Sequence, residues 1–249
     1  MTTSDIPPKV GYEREAPPLA IQHPPDQLSP EPDTAQRHRT LWQRLTLPFF
    51  GVLVPFLVFG WFAHKVRRHR VFSFDDPTLL DIHHYASPFL DKLAVVVAVL
   101  AGPAGMVPLC ALIFALLWRQ GWPRIAGFWA TAVGGSALLN LAAKGAFERV
   151  RPDLWLSVRP EHSWSFPSGH AMASMAFASA LCCLAWRTRW RWPALCFALV
   201  FVPLVAFTRA YLGVHYPSDL MAGWAASCAW VLGARWAWRG AFRSVEKRL

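Results

Sequence analysis

Long apolar runs separated by short polar stretches set the pattern of this chain from residue 45 onward. Six runs fall near 45–63, 93–118, 124–143, 170–186, 193–211 and 217–237. Their length and Leu, Ala and Val content suit membrane-spanning helices, which need about 20 apolar residues to cross the hydrocarbon. A chain in lipid must satisfy its backbone internally, and continuous apolar runs fit helices rather than the alternating pattern of barrel strands. The pattern predicts an all-α, polytopic membrane protein: a bundle of six transmembrane helices. Gly102, Pro103, Gly105 and Pro108 should bend or loosen the first half of the second span. The segment 64–92, with Phe74, Asp75, Asp76 and Pro77, is too polar to span and suits a short interfacial helix.

Residues 1–40 hold eight prolines, scattered charges and few large apolar side chains. They cannot bury enough surface to offset the entropy of ordering, so a disordered Pro-rich tail is expected there, with one membrane domain over 41–249. The start is polar and includes Asp5, unlike a cleaved signal peptide. Overall, 54% of the 249 residues are hydrophobic and only 16% charged, which excludes an ordinary soluble domain. The five cysteines all lie in apolar stretches and read as packing residues.

The net charge of +10 comes largely from arginines between the apolar runs, which favours the positive-inside rule over a nucleic-acid partner. Arg37, Arg39 and Arg44 precede the first run. Arg119 and Arg124 lie in one turn, Arg187, Arg189 and Arg191 in another, and Arg235 to Arg248 at the end. These places, both termini included, should be cytoplasmic. Lys65, Arg67, Arg68 and Arg70 dissent, on the side predicted to be outer, although Asp75, Asp76, Asp81 and Asp91 lie nearby.

Chemistry-bearing residues recur at the ends of different runs. Lys144, Arg151 and Pro152 follow the third; Pro167, Ser168, Gly169 and His170 open the fourth; Thr208, Arg209, His215 and Asp219 span the fifth-to-sixth connection. Six spans place all of these ends on one membrane face, so the clusters can converge. Lys144, Arg151 and Arg209 are cations at a boundary where unmatched charge is costly, with no set of nearby acidic residues to match them. Arginine's planar fork and lysine's point charge suit phosphate. Backbone N–H groups at the start of a helix at Ser168, Gly169 and His170 can add to such a cradle.

His215 and Asp219 are four apart, with Pro217 marking a helix start between them, so the carboxylate can orient the imidazole. The free ring nitrogen can then attack phosphorus, while a protonated His170 serves the leaving oxygen. Zinc held by His170, His215 and Asp219 is the competing reading. The three cations disfavour it, because they repel a divalent ion and stabilise a phosphoryl transition state. The other histidines weighed, His23, His38, His64, His69, His83 and His84, read as structural.

At these residues the sequence resembles the type 2 phosphatidic acid phosphatase superfamily. Its three-part signature is a lysine with Arg-Pro downstream, then Pro-Ser-Gly-His, then Ser-Arg with a later histidine and aspartate; Thr208 stands where serine is usual. The resemblance implies a six-helix core, a phosphohistidine on His215 supported by Asp219, and His170 as general acid. It also implies phosphate held by Lys144, Arg151, Ser168, Gly169 and Arg209, with Thr208, Pro152 and Pro167 in support, and neither metal nor other cofactor. The partner is then a lipid phosphate or diphosphate in the bilayer, of the undecaprenyl diphosphate, phosphatidic acid or phosphatidylglycerophosphate class. The site would face the outer side of the cell membrane. Trp155, Trp164 and Phe166 are candidates for headgroup depth. Transfer of phosphate to an acceptor other than water is the alternative activity, and an anion transporter the non-enzymatic one. The latter predicts polar groups throughout the spans, whereas the interiors of the fifth and sixth are almost wholly apolar.

Overall fold

The structure is a computed structural model and describes residues 49–246. The expected tail at 1–40, the cations Arg37, Arg39, Arg44 and Arg248, His23, His38 and the first residues of the first run lie outside the described residues. Among the described residues all regular structure is helical.

A π-helical turn, Phe49–Leu53, leads into α1 (Val54–Arg67). Phe62, Ala63 and Val66 face inward, while Phe56, Leu57 and Trp61 face out. The polar stretch after it holds a short helix, α2 (Asp75–His83), with Asp75 and Asp76 in the first turn where the helix dipole favours negative charge. The second apolar run is broken into α3 (Pro88–Leu100) and α4 (Pro103–Arg119), bent by 41°. Gly102 is extended and Pro103 has no N–H to donate, so the break falls where the glycine and proline pattern placed it. The third run is one helix of 25 residues, α5 (Pro123–Phe147), ended by Glu148 in the left-handed region at φ 45°. The helices α6 (Gly169–Ala185), α7 (Arg191–Tyr211) and α8 (Pro217–Ala237) match the last three runs. A further helix, α9 (Arg239–Glu246), follows them.

Among the described residues three helices, Phe49–Arg67, Pro123–Phe147 and Arg191–Tyr211, are long and apolar enough to cross a membrane, and the bent pair α3–α4 can supply a fourth span. The chain is thus a multi-pass helical protein. Helix α6 is apolar but has only 17 residues, and α8 has 21 residues with lower apolarity. Position explains both. Helix α6 is flanked by α5, α7 and α8, and α8 by α1, α5 and α6. Their surfaces therefore meet other helices, and Ala, Gly and Ser there allow close approach. A Cβ on Gly223 would stand 3.1 Å from the Ser168 carbonyl and 3.2 Å from the Ala171 Cβ, which is how near α8 comes to the start of α6. A buried hydrogen bond of 2.8 Å joins Ser136 of α5 to Ser227 of α8. Leu112, Leu116, Leu138, Leu141, Leu199 and Val200 are exposed, the outward apolar surface expected of a lipid-facing bundle.

Gly135 on α5 lies under the Trp230 ring, with only 2.3 Å available to a Cβ. Trp230 also donates to the Thr131 carbonyl at 2.9 Å. Gly135→Val should displace the indole and destabilise the protein by about 1–3 kcal/mol, the usual cost of overpacking. A lowered thermal midpoint in detergent, by tryptophan fluorescence, is the expected result.

Candidate active site

The C-termini of α5 and α7 and the N-termini of α6 and α8 meet at one end of the bundle, as counting spans required. At the other end of the α6–α7 pair lies the turn containing Arg187 and Arg189. Two irregular segments close the site. Residues 148–168 link α5 to α6, and residues 212–216 link α7 to α8. They are locked together where Trp155 lies against Gly213, which has φ 65° and where a Cβ would stand only 2.7 Å from the indole. The same indole stacks on His83 of α2, ring centres 4.0 Å apart. Trp155 is therefore a packing residue, Phe166 is fully buried beside Phe59 and Phe147, and of the three aromatics expected at headgroup depth only Trp164 is well exposed.

The predicted cations and histidines do converge, and Glu161 stands among them. Its carboxylate pairs with Arg209 Nη2 and with Arg151 Nη2, the latter at 2.8 Å. It lies 3.9 Å from His170 Nδ1 and 3.8 Å from His215 Nε2. The expectation that the cations lack acidic matches is thereby corrected: the loop folds one back from ten residues past Arg151, a proximity that sequence spacing does not display. Burial pushes the Glu161 carboxyl up, but the positive charges around it, led by Arg209, outweigh burial and hold its pKa at about 2. Lys144 Nζ donates to Ser163 Oγ at 2.8 Å, and Arg151 reaches the same oxygen at 3.0 Å. Arg209 has no solvent exposure, and its Nε and Nη1 have no hydrogen-bond partner among the described residues.

His215 is 1% exposed. Arg151 Nη1 lies 3.1 Å from its Nε2. A guanidinium only donates, so Nε2 must offer its lone pair, which puts the ring proton on Nδ1. That nitrogen lies 3.7 Å from Asp219 Oδ2 and 3.4 Å from Ser165 Oγ. Burial first, then the charges of Arg151 and Arg209, push the imidazole's pKa well below its ordinary value and keep it neutral. His170 Nε2 lies 3.0 Å from the Ala98 carbonyl, an acceptor, so Nε2 carries its proton and Nδ1 faces Glu161. A Cβ on Gly102 would lie 2.7 Å from that carbonyl and 3.0 Å from the ring, so the glycine also makes room for this contact.

The remaining expected residues divide between cradle and frame. Ser168 caps α6, its Oγ accepting the Ala171 N–H at 3.5 Å, and its own N–H donates to the Asp219 carbonyl at 3.2 Å. The first-turn N–H groups of Gly169 and His170 have no carbonyl four residues back within the helix. Pro167 follows a cis peptide bond, and its carbonyl accepts from Asn140 at 3.0 Å. Pro152 disfavours helix at Arg151, which lies in the irregular loop. Thr208 is buried and commits its hydroxyl to the Val205 carbonyl at 2.7 Å, so that proton is not directed to an anion.

The PAP2 superfamily model matches residues 125–243. The lipid A 4'-phosphatase of Bacteroides thetaiotaomicron is 31% identical over 168 residues, 60% of this chain and 70% of that protein. The chain belongs to the PAP2 superfamily. Phosphatidylglycerophosphatase B of Bacillus subtilis is 29% identical over 175 residues, covering 68% of this chain and 85% of that protein. The crystal structure of a transmembrane PAP2-type phosphatidylglycerolphosphate phosphatase from Bacillus subtilis shares the fold, with TM-score 0.67, 24% identity and coverage of 79% of this chain and 98% of that one. The PAP2 match holds every site residue named from the sequence. Asp75, Ala98 and Gly102 precede it, and together with Arg149, Glu161, Ser163 and Ser165 they are the site residues that sequence reasoning missed. Arg149 lies between Lys144 and Arg151 in the sequence, and that adjacency is a signal that could have found it.

Because the Glu161 pKa is depressed on folding, the stability from its ion pairs is complete above 4.5 and is lost as pH falls toward about 2. The difference in thermal midpoint between wild type and Glu161→Gln should stay constant from neutral pH down to about 5, then shrink over that window. A difference independent of pH would show that the ion pairs are not its source.

Proposed function

We propose that this PAP2 protein hydrolyses a lipid phosphate or diphosphate through a phosphohistidine on His215. The observation that carries the reading is the wholly buried Arg209, with two unpartnered donors beside Arg151, His170 and a neutral His215. Unsatisfied buried donors are costly, and a phosphoryl group supplies the oxygens they lack. Phosphate would displace the Glu161 carboxylate from Arg151 and Arg209, take Lys144 on one flank, and meet the N–H groups of Gly169 and His170. His215 Nε2 then attacks phosphorus, forming the N–P bond as the P–O bond to the leaving group breaks. His170, protonated at Nδ1, gives that oxygen its proton. Water attacks the phosphohistidine next, its proton returning to His170, and inorganic phosphate leaves as the N–P bond breaks. Nothing in this sequence of steps calls for a metal, since the cations already meet the developing charge.

The substrate class follows from the names of the relatives, which act on phosphatidylglycerophosphate and lipid A. A site at one end of a membrane helix bundle suits substrates already in the bilayer. Six spans, with α6 and α8 as the inner pair, keep the four site-forming ends on one face. The turn with Arg187 and Arg189 lies at the opposite end, and the positive-inside rule then turns the site to the outer side of the cell membrane with cytoplasmic termini.

His215→Ala and His170→Ala should each nearly abolish release of inorganic phosphate, and Arg209→Ala should slow it by about 10²–10³-fold, the usual cost of one lost transition-state stabiliser. Purified protein assayed in detergent against a panel of lipid phosphates tests this directly. Full turnover by His215→Ala would remove the nucleophile assignment. Labelled phosphate appearing on an added alcohol instead of in solution would make the protein a transferase. Activity should survive EDTA, and loss that zinc restores would overturn the metal-free chemistry.

A further inference from the structure

Asp219 supports His215 in the proposed chemistry, but the groups that grip Asp219 come from elsewhere in the chain. Its fully buried carboxylate accepts from Arg149 Nη1 on Oδ1 at 2.5 Å, and from Ser165 Oγ and the Tyr216 N–H on Oδ2 at 2.5 and 3.0 Å. Arg149 extends its other terminal nitrogen, Nη2, to Asp75 Oδ2 at 2.9 Å and lies over the Tyr216 ring at 4.2 Å. Asp75, the first residue of α2, has no solvent exposure. It accepts the Ser218 N–H at 2.9 Å and the Ser218 hydroxyl at 2.6 Å, and that hydroxyl takes Arg149 Nη1 at 2.7 Å. Asp75 and Arg149 thus hold the opening turn of the helix on which Asp219 stands.

The charges indicate more than a cap. Satisfying the first N–H groups of α8 needs only a neutral acceptor. A buried carboxylate is costly unless a cation answers it, and the cation bonded to Asp75 is Arg149. Both terminal nitrogens of Arg149 are bonded to Asp75, Ser218 and Asp219, so they are not part of the cradle formed by Lys144, Arg151 and Arg209.

We propose that Asp75 and Arg149 are positioning residues, which pin Asp219 Oδ1 so that Oδ2 faces His215 Nδ1 and the Nε2 lone pair is aimed at phosphorus. This rests on the phosphohistidine reading. With Oδ1 held, the carboxylate plane cannot turn, and the Nδ1–H tautomer is the one that faces a negative oxygen 3.7 Å away. Without Arg149 the carboxylate rotates and carries an uncompensated buried charge. Without the charge on Asp75, Arg149 loses the contact that fixes its far end. The segment between α1 and α3 thereby takes part in catalysis through Asp75, which reaches Arg149 and Ser218.

The test uses the full chain in detergent as Asp75→Asn, Arg149→Met, Arg149→Lys and the Asp75→Asn/Arg149→Met double variant, with His215→Ala as reference. Measured are kcat and KM for the lipid phosphate that wild type cleaves fastest, the competitive Ki of inorganic phosphate, and the thermal midpoint. Asp75→Asn and Arg149→Met should lower kcat by about 10–100-fold, the usual effect of losing a group that orients a reacting residue, with KM and the phosphate Ki within about twofold of wild type. Arg149→Lys should recover part of the loss, and the double variant should be no slower than Arg149→Met because the two residues act in series. If Arg149→Met does not fold, Asp75→Asn decides alone, since it keeps size and the acceptor for the Ser218 N–H. Unchanged kcat in a chain whose His215→Ala form is inactive overturns the positioning role and leaves the chemistry standing. Equal losses in kcat, phosphate affinity and thermal midpoint overturn it too, as a purely structural role. Full activity of His215→Ala overturns the chemistry itself.

Discussion

A guanidinium that cannot shed its proton and cannot reach water has to be met by negative charge. Arg209 imposes that requirement at the end of α7, where it is wholly buried within the protein. The loop between α5 and α6 answers it in the structure by bringing Glu161 to Arg209 and Arg151, and two donors of Arg209 still stand unmatched. A site with this deficit favours an anion with several oxygens over a single carboxylate. The neutral imidazole of His215 follows from the same surroundings, because burial first, and then the prospect of a third positive charge beside Arg151 and Arg209, penalise its protonation.

Close packing of the inner helices makes that arrangement possible. Small residues on α6 and α8 bring the first turns of both helices together, to the point where the Ser168 N–H bonds the Asp219 carbonyl. The break between α3 and α4 serves the same end. By ending α3 at Leu100, just before the extended Gly102, it lets His170 reach the Ala98 carbonyl, which fixes the ring proton on Nε2 and turns Nδ1 to the site. Bundle geometry and ring chemistry are thus parts of one device: helix ends supply both the polar backbone groups and the positions of the side chains that use them.

Around the two histidines proposed to react lies a second tier of charge. Asp75, Arg149 and Asp219 alternate in sign and are held in buried or nearly buried positions, the two carboxylates with no side-chain exposure and the guanidinium with 14%. Alternation lets two carboxylates lie inside the protein without mutual repulsion dominating, and hydroxyls from Ser165 and Ser218 occupy lone pairs that the arginine leaves free. Such networks are rigid when complete, because each member loses several bonds if any one moves.

Sequence alone determined the helical class, the place of nearly every helix and the break at Gly102 and Pro103, and it pointed to Lys144, Arg151, His170, Arg209, His215 and Asp219 as residues that meet at one end of the bundle. Apolar period and length are local properties, and the span count transmits them to topology, so the convergence of those residues was legible in the chain itself. The partition of apolarity between lipid-facing and inner helices was not, since a helix buried by its neighbours needs no lipophilic surface and reads as shorter or more polar than it acts. The contacts of Glu161, Arg149, Asp75 and Ser165 were likewise decided by tertiary structure. Their roles depend on distance in space between residues up to 144 positions apart, Asp75 to Asp219, and on burial. Only the folded chain creates either one, by bringing an irregular loop and the short helix α2 to the ends of the bundle helices.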